Sequence, residues 1–378
     1  MNLTQFANGY PAAAPKQQLE QPISALFSQE FIDEVLELDS MPAPKLWEKK
    51  FLAPMISFFN TPGKSIRRDF VKLGWALANF EAKNEDILQQ ASIPQKCPEK
   101  LFQIIEVLHS ASLIVDDIED DSLVRRGVPC LHRQIGLGPA LNIANWLYFV
   151  SSFLIDTLDC SQQAKLNLHK VFNRVMLRCH QGQALDLSYR VNEVAREDMA
   201  GLVESSTRLK TGVLVGFAMQ ISALYLDKTY AESLRLYEFG EEIGLALQMY
   251  DDLSGVSNPK RFHKAHEDFF KFRPTWIWLW LAENPNIETD QYKTLLQLLE
   301  QTNEELSQQH TLNLNNTSTV EAYRSFRLAL LPLLHVAPSL IEGRIDQALM
   351  KLQQQYALTS KPYQTALKAV NKLKVSYL

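Results

Sequence analysis

The sequence predicts an all-α protein, one large helical domain with decorated ends, and three observations carry that expectation. Glycine is scarce, at 14 among 378 residues. That is about half the usual share of roughly 7%, too few turn formers for a sandwich, a propeller or a doubly wound sheet. Hydrophobic residues make up 46% and charged residues 21%, enough to bury a core and too apolar for disorder. From Lys45 onward, apolar residues recur at spacings of three and four, the period of one helix face.

Taken in order, residues 1–40 are rich in Pro, Ala, Gln and Ser and read as an extension with one short helix near Gln29–Leu38. Residues 41–285 form the helical core. Within it, Leu101, Ile104, Ile105, Leu108, Ser112 and Val115 make a stripe in which only Ser112 is not apolar. Similar stripes recur at about 142–158, 166–187, 200–225, 231–253 and 275–282, and again at 320–355. Breakers separate them, among them Pro129, Gly136 to Pro139, Asn258-Pro259 and Asn284-Pro285. Residues 286–378 are expected to complete or cap the same domain, with the Gln/Asn-rich part of 285–319 as a surface excursion or a boundary.

Charge and cysteine usage exclude several classes of function. The formal net charge is −5, which offers no general attraction to nucleic acid or to anionic lipid. The four cysteines are scattered without a C-x-x-C pair. That is neither a disulfide framework nor a zinc knuckle, and it fits a reducing compartment. The N-terminus has no basic and apolar leader pattern. The apolar runs at Ile143–Leu158 and Leu328–Ile341 are broken by Asn145, Asp156, Pro332 and Pro338, so no membrane span is expected. The cytoplasm is the expected location.

The most informative segment runs from Leu108 to His132. Five acids, Asp116, Asp117, Glu119, Asp120 and Asp121, stand within six residues directly after the apolar stripe. Residues i and i+4 share a helix face, so Asp116 and Asp120 stack one turn apart and call for a compensating cation. Carboxylate oxygens without His or Cys favour Mg²⁺, which commonly shares its shell with substrate phosphates. Arg125 and Arg126 follow closely, and guanidinium forks suit phosphate oxygens. A solvated acidic helix end would look the same here. A second pair, Asp251 and Asp252, ends another apolar stripe far along the chain. Two such ends point to opposite walls of one diphosphate-binding cavity.

These segments resemble the trans-type isoprenyl diphosphate synthases, and most closely the geranylgeranyl diphosphate synthase branch. The resemblance rests on H-x-A-S-L-x-x-D-D-x-x-D from His109 to Asp120, R-R-G-x-P-x-x-H from Arg125 to His132 and A-N-x-L-Y-F from Ala144 to Phe149. It extends to Pro62-Gly63-Lys64-Ser65-Ile66-Arg67, to Gly182-Gln183-x-x-Asp186-Leu187, to Lys210-Thr211-Gly212 and to Gln248-x-x-Asp251-Asp252. It implies an antiparallel helical bundle of the isoprenoid synthase type with a central cavity, acting as a homodimer. The implied reaction joins isopentenyl diphosphate to an allylic diphosphate with Mg²⁺, three ions being expected and the third least secured.

Residue by residue, the resemblance implies that Asp116 and Asp120 hold metal with Asp117 in support, and that Asp251 holds a further ion with Asp252 beside it. Arg125, Lys210 and Gln248 contact the allylic diphosphate. Gly63, Lys64, Arg67, His109 and Arg126 form the isopentenyl diphosphate pocket. Thr211 and Gln183 line the allylic cation. Ala111 and Ser112, five and four residues before Asp116, set chain length: bulky aromatics there stop the product at farnesyl length, and small residues leave room for C20 or longer. Leu108, His132 and Trp146 are candidates for a deeper floor.

Three departures from the family pattern bear on the third metal. Gly255 stands where an Asp or Asn is usual, Phe272 replaces a glycine, and Arg273, expected to bind substrate, replaces a lysine with the charge kept. They leave a rival open, a class I terpene synthase-like enzyme that cyclises or hydrolyses a prenyl diphosphate. Ser254 lies one residue off that family's spacing, and a cyclase has no use for the Lys64, Arg67 and His109 pocket. A non-catalytic partner subunit is a further alternative, disfavoured because the first aspartate motif is complete. Other features read as ordinary structure: His263 and His266 as surface residues, and Trp276, Trp278 and Trp280 as core or dimer packing.

Overall fold

The described residues of the computed structural model are 23–36, 44–61, 66–84, 96–258, 261–308, 317–354 and 360–375. They divide into two compact units. One comprises Met1–Asp69 and Ile93–His169, the other Phe70–Ser92 and Lys170–Leu378. Residues 286–378 thus fall with 170–285 in the second unit.

In the first unit the helices are α1 (Gln29–Leu36), α2 (Pro44–Trp47), α3 (Ala53–Asn60), the first residues of α4 (Ile66–Asn84), α5 (Glu99–Glu119), α6 (Leu131–Ile135), α7 (Leu137–Asp156) and the start of α8 (Gln162–Ser188). The stripe on α5 is realised as expected. Leu101, Ile104, Ile105 and Leu108 are buried, and α5 packs chiefly on α7. Arg68 forks onto Glu99 at 2.8 and 2.7 Å and covers the Phe102 ring at 4.4 Å, which ties the start of α4 to the start of α5. The described part of the expected extension belongs to this core: Phe27 and Ile32 are buried. Trp146 sits in an aromatic cluster, 6.0 Å from Phe27 and 5.4 Å from Phe51.

The second unit continues with α9 (Arg196–Thr207), a π-helical turn (Arg208–Gly212), α10 (Val213–Tyr225), α11 (Tyr230–Ser257), α12 (Phe262–Phe270), α13 (Trp276–Glu283), α14 (Thr289–Gln308), α15 (Thr317–Leu330), α16 (Ala337–Gln353) and α17 (Lys361–Val375). Every residue of α10 is buried, as an all-round apolar helix requires. Its closest partner is α11, which a reciprocal Thr229–Glu232 capping box starts. Gly216 and Gly240 permit that approach: a β-carbon on either would lie within 3.0 Å of the facing backbone.

The sequence reading needs correction in three places. The Gln/Asn-rich segment is mostly not an excursion, because α14 occupies much of it and buries Tyr292, Leu295, Leu299 and Leu306. The single stripe at 320–355 is broken into α15, a short 3-10 turn at Leu331–Leu334 and α16, because Pro332 and Pro338 cannot donate helical hydrogen bonds. His266 is not a surface residue. It is fully buried and stacks on Tyr323 with ring centroids 5.1 Å apart. Trp276, Trp278 and Trp280 are buried as expected, and the four cysteines are free thiols. Among the described residues no single helix is long and apolar enough to cross a membrane. The pair Glu321–Leu334 and Ala337–Gln353 meets that length and composition only jointly, across a 52° bend.

Candidate active site

In the first unit the acid run is split by the end of α5. Asp116 and Asp117 lie in the last helical turn, and Asp120 caps the helix, its N–H donating to the Asp116 carbonyl at 2.9 Å. The expected i, i+4 pairing of Asp116 with Asp120 therefore holds in the backbone. Asp117 takes another part. It is buried, and both its oxygens accept from Arg125 Nε at 2.7 Å. Arg125 Nη2 also reaches Asp116 Oδ2 at 3.5 Å.

Arg125 and Arg126 do not continue the helix. They sit on a hairpin in which β1 (Val124–Arg125) pairs with β2 (Val128–Pro129). Arg126 and Gly127 take φ +54° and +83°, the left-handed pair of a tight hairpin turn. This turn sends the two guanidinium groups different ways. Arg126 donates to the Thr61 carbonyl at 3.0 Å.

Two turns back along α5 from Asp116 lies His109, buried among positive charge. Burial, then the Arg67, Arg126 and Arg125 charges, hold its imidazole well below the ordinary value, so it is neutral at pH 7. Glu106, one turn further, precedes the His109–Asp120 motif and is an unexpected member of the site. Burial pushes its carboxyl up against the pull of Arg67, Arg126 and Arg68, and its Oε1 has no hydrogen-bond partner among the described residues. The signal was available as an acid three residues before His109 in an otherwise apolar run. Arg67, His109 and Arg126 are therefore brought within electrostatic reach of one another, while Gly63 and Lys64 lie outside the described residues. Ala111 is fully buried and Ser112 half-buried, with the Ser112 hydroxyl donating to the His109 carbonyl at 2.8 Å.

In the second unit Lys210 and Thr211 ride on the π-helical turn rather than on a regular helix; such wide turns occur frequently at functional sites. Gly182 of α8 explains how the turn is held, since a β-carbon there would lie 2.4 Å from the Lys210 nitrogen. Lys210 Nζ donates to Asp186 Oδ2 at 2.8 Å. Arg273 is buried, donates to the Asp186 carbonyl, and holds its Nη1 3.7 Å from the same carboxylate oxygen. Asp186 thus joins Lys210 and Arg273, a role not expected of it. Gln183 and Thr211 are half-buried beside these groups in the sequence.

Near the end of α11 the two aspartates differ. Asp252 accepts from Gln248 Nε2 at 2.9 Å and from the Trp276 backbone N–H at 2.9 Å. Burial, against those two hydrogen bonds, pushes its carboxyl up to about 7. Asp251 accepts from Arg261. Gly255 lies one turn on, buried with room for a β-carbon 3.5 Å from Ala265. Asp268 of α12 adds an unexpected fourth acid, which burial and then the Asp252 and Glu267 charges hold well above the usual carboxylate range. Phe272 takes φ +53°, the left-handed conformation that glycine adopts without strain.

Among the described residues no three His, Cys, Asp or Glu side chains gather closely enough to hold a metal ion alone. Acid oxygens offered singly or in pairs fit a cation that completes its shell with water and substrate phosphate, as Mg²⁺ does.

Residues 48–313 match the polyprenyl synthetase family. The chain belongs to that family. Among curated relatives, a geranylgeranyl pyrophosphate synthase of Apiospora sacchari is 30% identical over 210 residues, 54% of this chain and 55% of the relative. One of Penicillium crustosum is 28% identical over 228 residues, 59% of each chain. The matches thus span little more than half the length of those relatives. Solved structures show the same fold over nearly the whole chain. A geranylgeranyl pyrophosphate synthase of Corynebacterium glutamicum, solved with isoprenyl diphosphate and magnesium, gives a TM-score of 0.68 at 17% identity, covering 94% of this chain and 96% of that one. The enzyme of Lactobacillus brevis gives 0.65 at 20% identity, covering 93% and 95%. The all-α fold expected from the sequence is therefore that of known prenyl synthases.

Proposed function

We propose that this polyprenyl synthetase joins isopentenyl diphosphate to an allylic prenyl diphosphate and releases a linear trans-prenyl diphosphate of C20 or longer. The observation that carries the reading is the end of α5, where Asp116 and Asp120 stand one turn apart while Asp117 is withdrawn onto Arg125. Asp116, Asp120 and Asp251 hold Mg²⁺, with Asp252 behind Asp251, and three ions are expected. When bound, Mg²⁺ neutralises the leaving diphosphate and favours ionisation of its C–O bond.

The chain's own residues then divide the work. Arg125, Lys210 and Gln248 orient the allylic diphosphate, and Arg273 holds Lys210's partner Asp186 in place. Arg67, Arg126 and neutral His109, with Gly63 and Lys64, receive isopentenyl diphosphate. Glu106 offsets part of that positive charge. The Thr211 and Gln183 oxygens face the allylic cation while the isopentenyl double bond attacks it, and the released diphosphate takes the proton. Apolar helix faces exclude water that would quench the cation. Ala111 and Ser112 leave room for a long chain. We place the protein in the cytosol on its scattered free thiols, and as a homodimer on the apolar stripe that α7 exposes at Leu137, Leu141 and Phe149.

The test incubates purified protein and Mg²⁺ with C5, C10, C15 and C20 allylic diphosphates, with and without isopentenyl diphosphate. Elongation only in its presence, abolished by a chelator and by Asp116→Asn, is the expected result. Release of a hydrocarbon or alcohol without isopentenyl diphosphate would replace this reading with a terpene synthase. Binding without turnover would replace it with a partner subunit.

A further inference from the structure

Four charged side chains from four elements of the second unit close into a ring. Arg208, the first residue of the π-helical turn, donates to Glu204 of α9 at 2.9 Å and to Glu242 of α11 at 2.8 Å. Arg344 of α16 donates to the same two acids, at 3.1 Å to both Glu204 oxygens and at 2.8 Å to Glu242. Arg208 also reaches Glu241 at 2.6 Å, which Arg178 of α8 shares at 3.1 Å. Three arginines thus balance three glutamates. Without Arg344, Arg208 faces the three acids with only Arg178 to help, and repulsion between Glu204 and Glu242 acts directly on the turn that carries Lys210.

Arg344 makes a second contact of consequence. Its guanidinium lies over the Trp276 ring, 5.5 Å from the centroid, and the backbone N–H of the same residue is one of the two donors on Asp252. A neighbouring tie runs the same way: Lys374 of α17 donates to Glu342, which accepts from Tyr250, the residue before Asp251. Both α16 and α17 lie beyond residues 48–313, the stretch that matches the family. The C-terminal helices are therefore wired to two of the motif-bearing segments of this unit, the Lys210 turn and the Asp251–Asp252 end of α11.

We propose that Arg344 is a positioning residue for prenyl transfer, fixing the Lys210–Thr211 turn through Glu204, Glu242 and Arg208 and seating the Trp276 donor on Asp252. The proposal rests on the assignment of Lys210 to the allylic diphosphate. It touches no substrate and acts through geometry, where small misplacements cost rate steeply.

The experiment uses the full chain with Arg344→Ala, Arg344→Lys, Glu242→Gln and, as control, the exposed Lys351→Ala. Arg344→Ala is expected to lower kcat and raise KM for the allylic diphosphate, on the order of tenfold combined, with KM for isopentenyl diphosphate unchanged. Arg344→Lys recovers part of this, Glu242→Gln shows a weaker loss of the same kind, and Lys351→Ala matches wild type. A lower melting temperature with wild-type kcat and both KM values would overturn the proposal, and should Arg344→Ala not fold, Arg344→Lys and Glu242→Gln decide by the same split. Hydrogen exchange across residues 205–213 gives a readout independent of turnover. Faster exchange in Arg344→Ala supports the proposal and unchanged exchange overturns it, whereas a wild type that fails to condense substrates counts against the assigned reaction instead.

Discussion

Gly182 and Lys210 are in such close backbone contact that a β-carbon on the glycine would lie 2.4 Å from the lysine nitrogen and 2.7 Å from the preceding carbonyl carbon. Backbone cannot give way as a flexible side chain can, so Gly182→Ala must push α8 and the π-helical turn apart. We expect a stability loss of about 1–3 kcal/mol together with a fall in kcat. Thermal unfolding and steady-state kinetics check this; wild-type activity in Gly182→Ala would show that the turn tolerates displacement.

Phe272 holds a conformation that costs an L-residue about 1–2 kcal/mol. Phe272→Gly removes that strain while losing a half-buried ring, so stability should change little. Phe272→Val keeps the strain and adds β-branching, which the left-handed region accepts poorly. Denaturant midpoints should therefore rank valine clearly below glycine, and the reverse order would show that burying a side chain there outweighs the strain.

His109 gives the stability curve an acid limb. Its folded pKa lies below the unfolded value of about 6.5, so below that pH the unfolded chain takes up a proton that the folded chain refuses. The contribution of neutral His109 is complete above about pH 6.5 and falls on acidification, by at most about 1.4 kcal/mol per pH unit. Comparing unfolding free energies of wild type and His109→Gln from pH 8 down to about 5 isolates this group. Wild type should lose ground on acidification, and parallel curves would contradict a buried neutral imidazole.

Ser112 donates its hydroxyl back to the His109 carbonyl at 2.8 Å, which keeps the side chain small and folded against its own helix. Ser112→Phe replaces it with a ring that cannot do the same. If the position limits chain length, the product distribution shifts to shorter prenyl groups, read by chromatography of the dephosphorylated products. An unchanged distribution would move the floor elsewhere.

Phe149 is 75% exposed on α7, in line with Leu137 and Leu141 at helical spacing. A charged substitution on a self-complementary apolar face opposes association. Sedimentation should show a dimer for wild type and a shift toward monomer for Phe149→Glu, with the helical content of both proteins unchanged.

Much of the fold was legible because helix periodicity is a local property. The stripe at Leu101–Val115 became α5, the stripe at 142–158 became α7, and the acid pairs fell near the ends of α5 and α11. Composition misled at 285–319, where polar residues cover the outer face of α14 while Tyr292, Leu295 and Leu299 pack inward. His266 was misread for a related reason: nothing in its neighbours announces that Tyr323 will stack on it.

The sequence by itself determined which residue types stand at the helix ends and at what spacing, since a motif needs only the chain. What each side chain does there was decided by tertiary structure. Asp117 and Asp116 are adjacent, yet one is locked to Arg125 and the other is half-exposed, because a hairpin with two left-handed residues aims the guanidinium. Burial raises the Asp252 carboxyl to about 7, while its neighbour Asp251 is half-buried and accepts from Arg261. Burial and hydrogen-bond donors come from segments distant in the chain, as Trp276 does for Asp252 and Arg344 for Glu204 and Glu242. Desolvation and charge pairing depend on distance in space, and only the folded chain sets that distance.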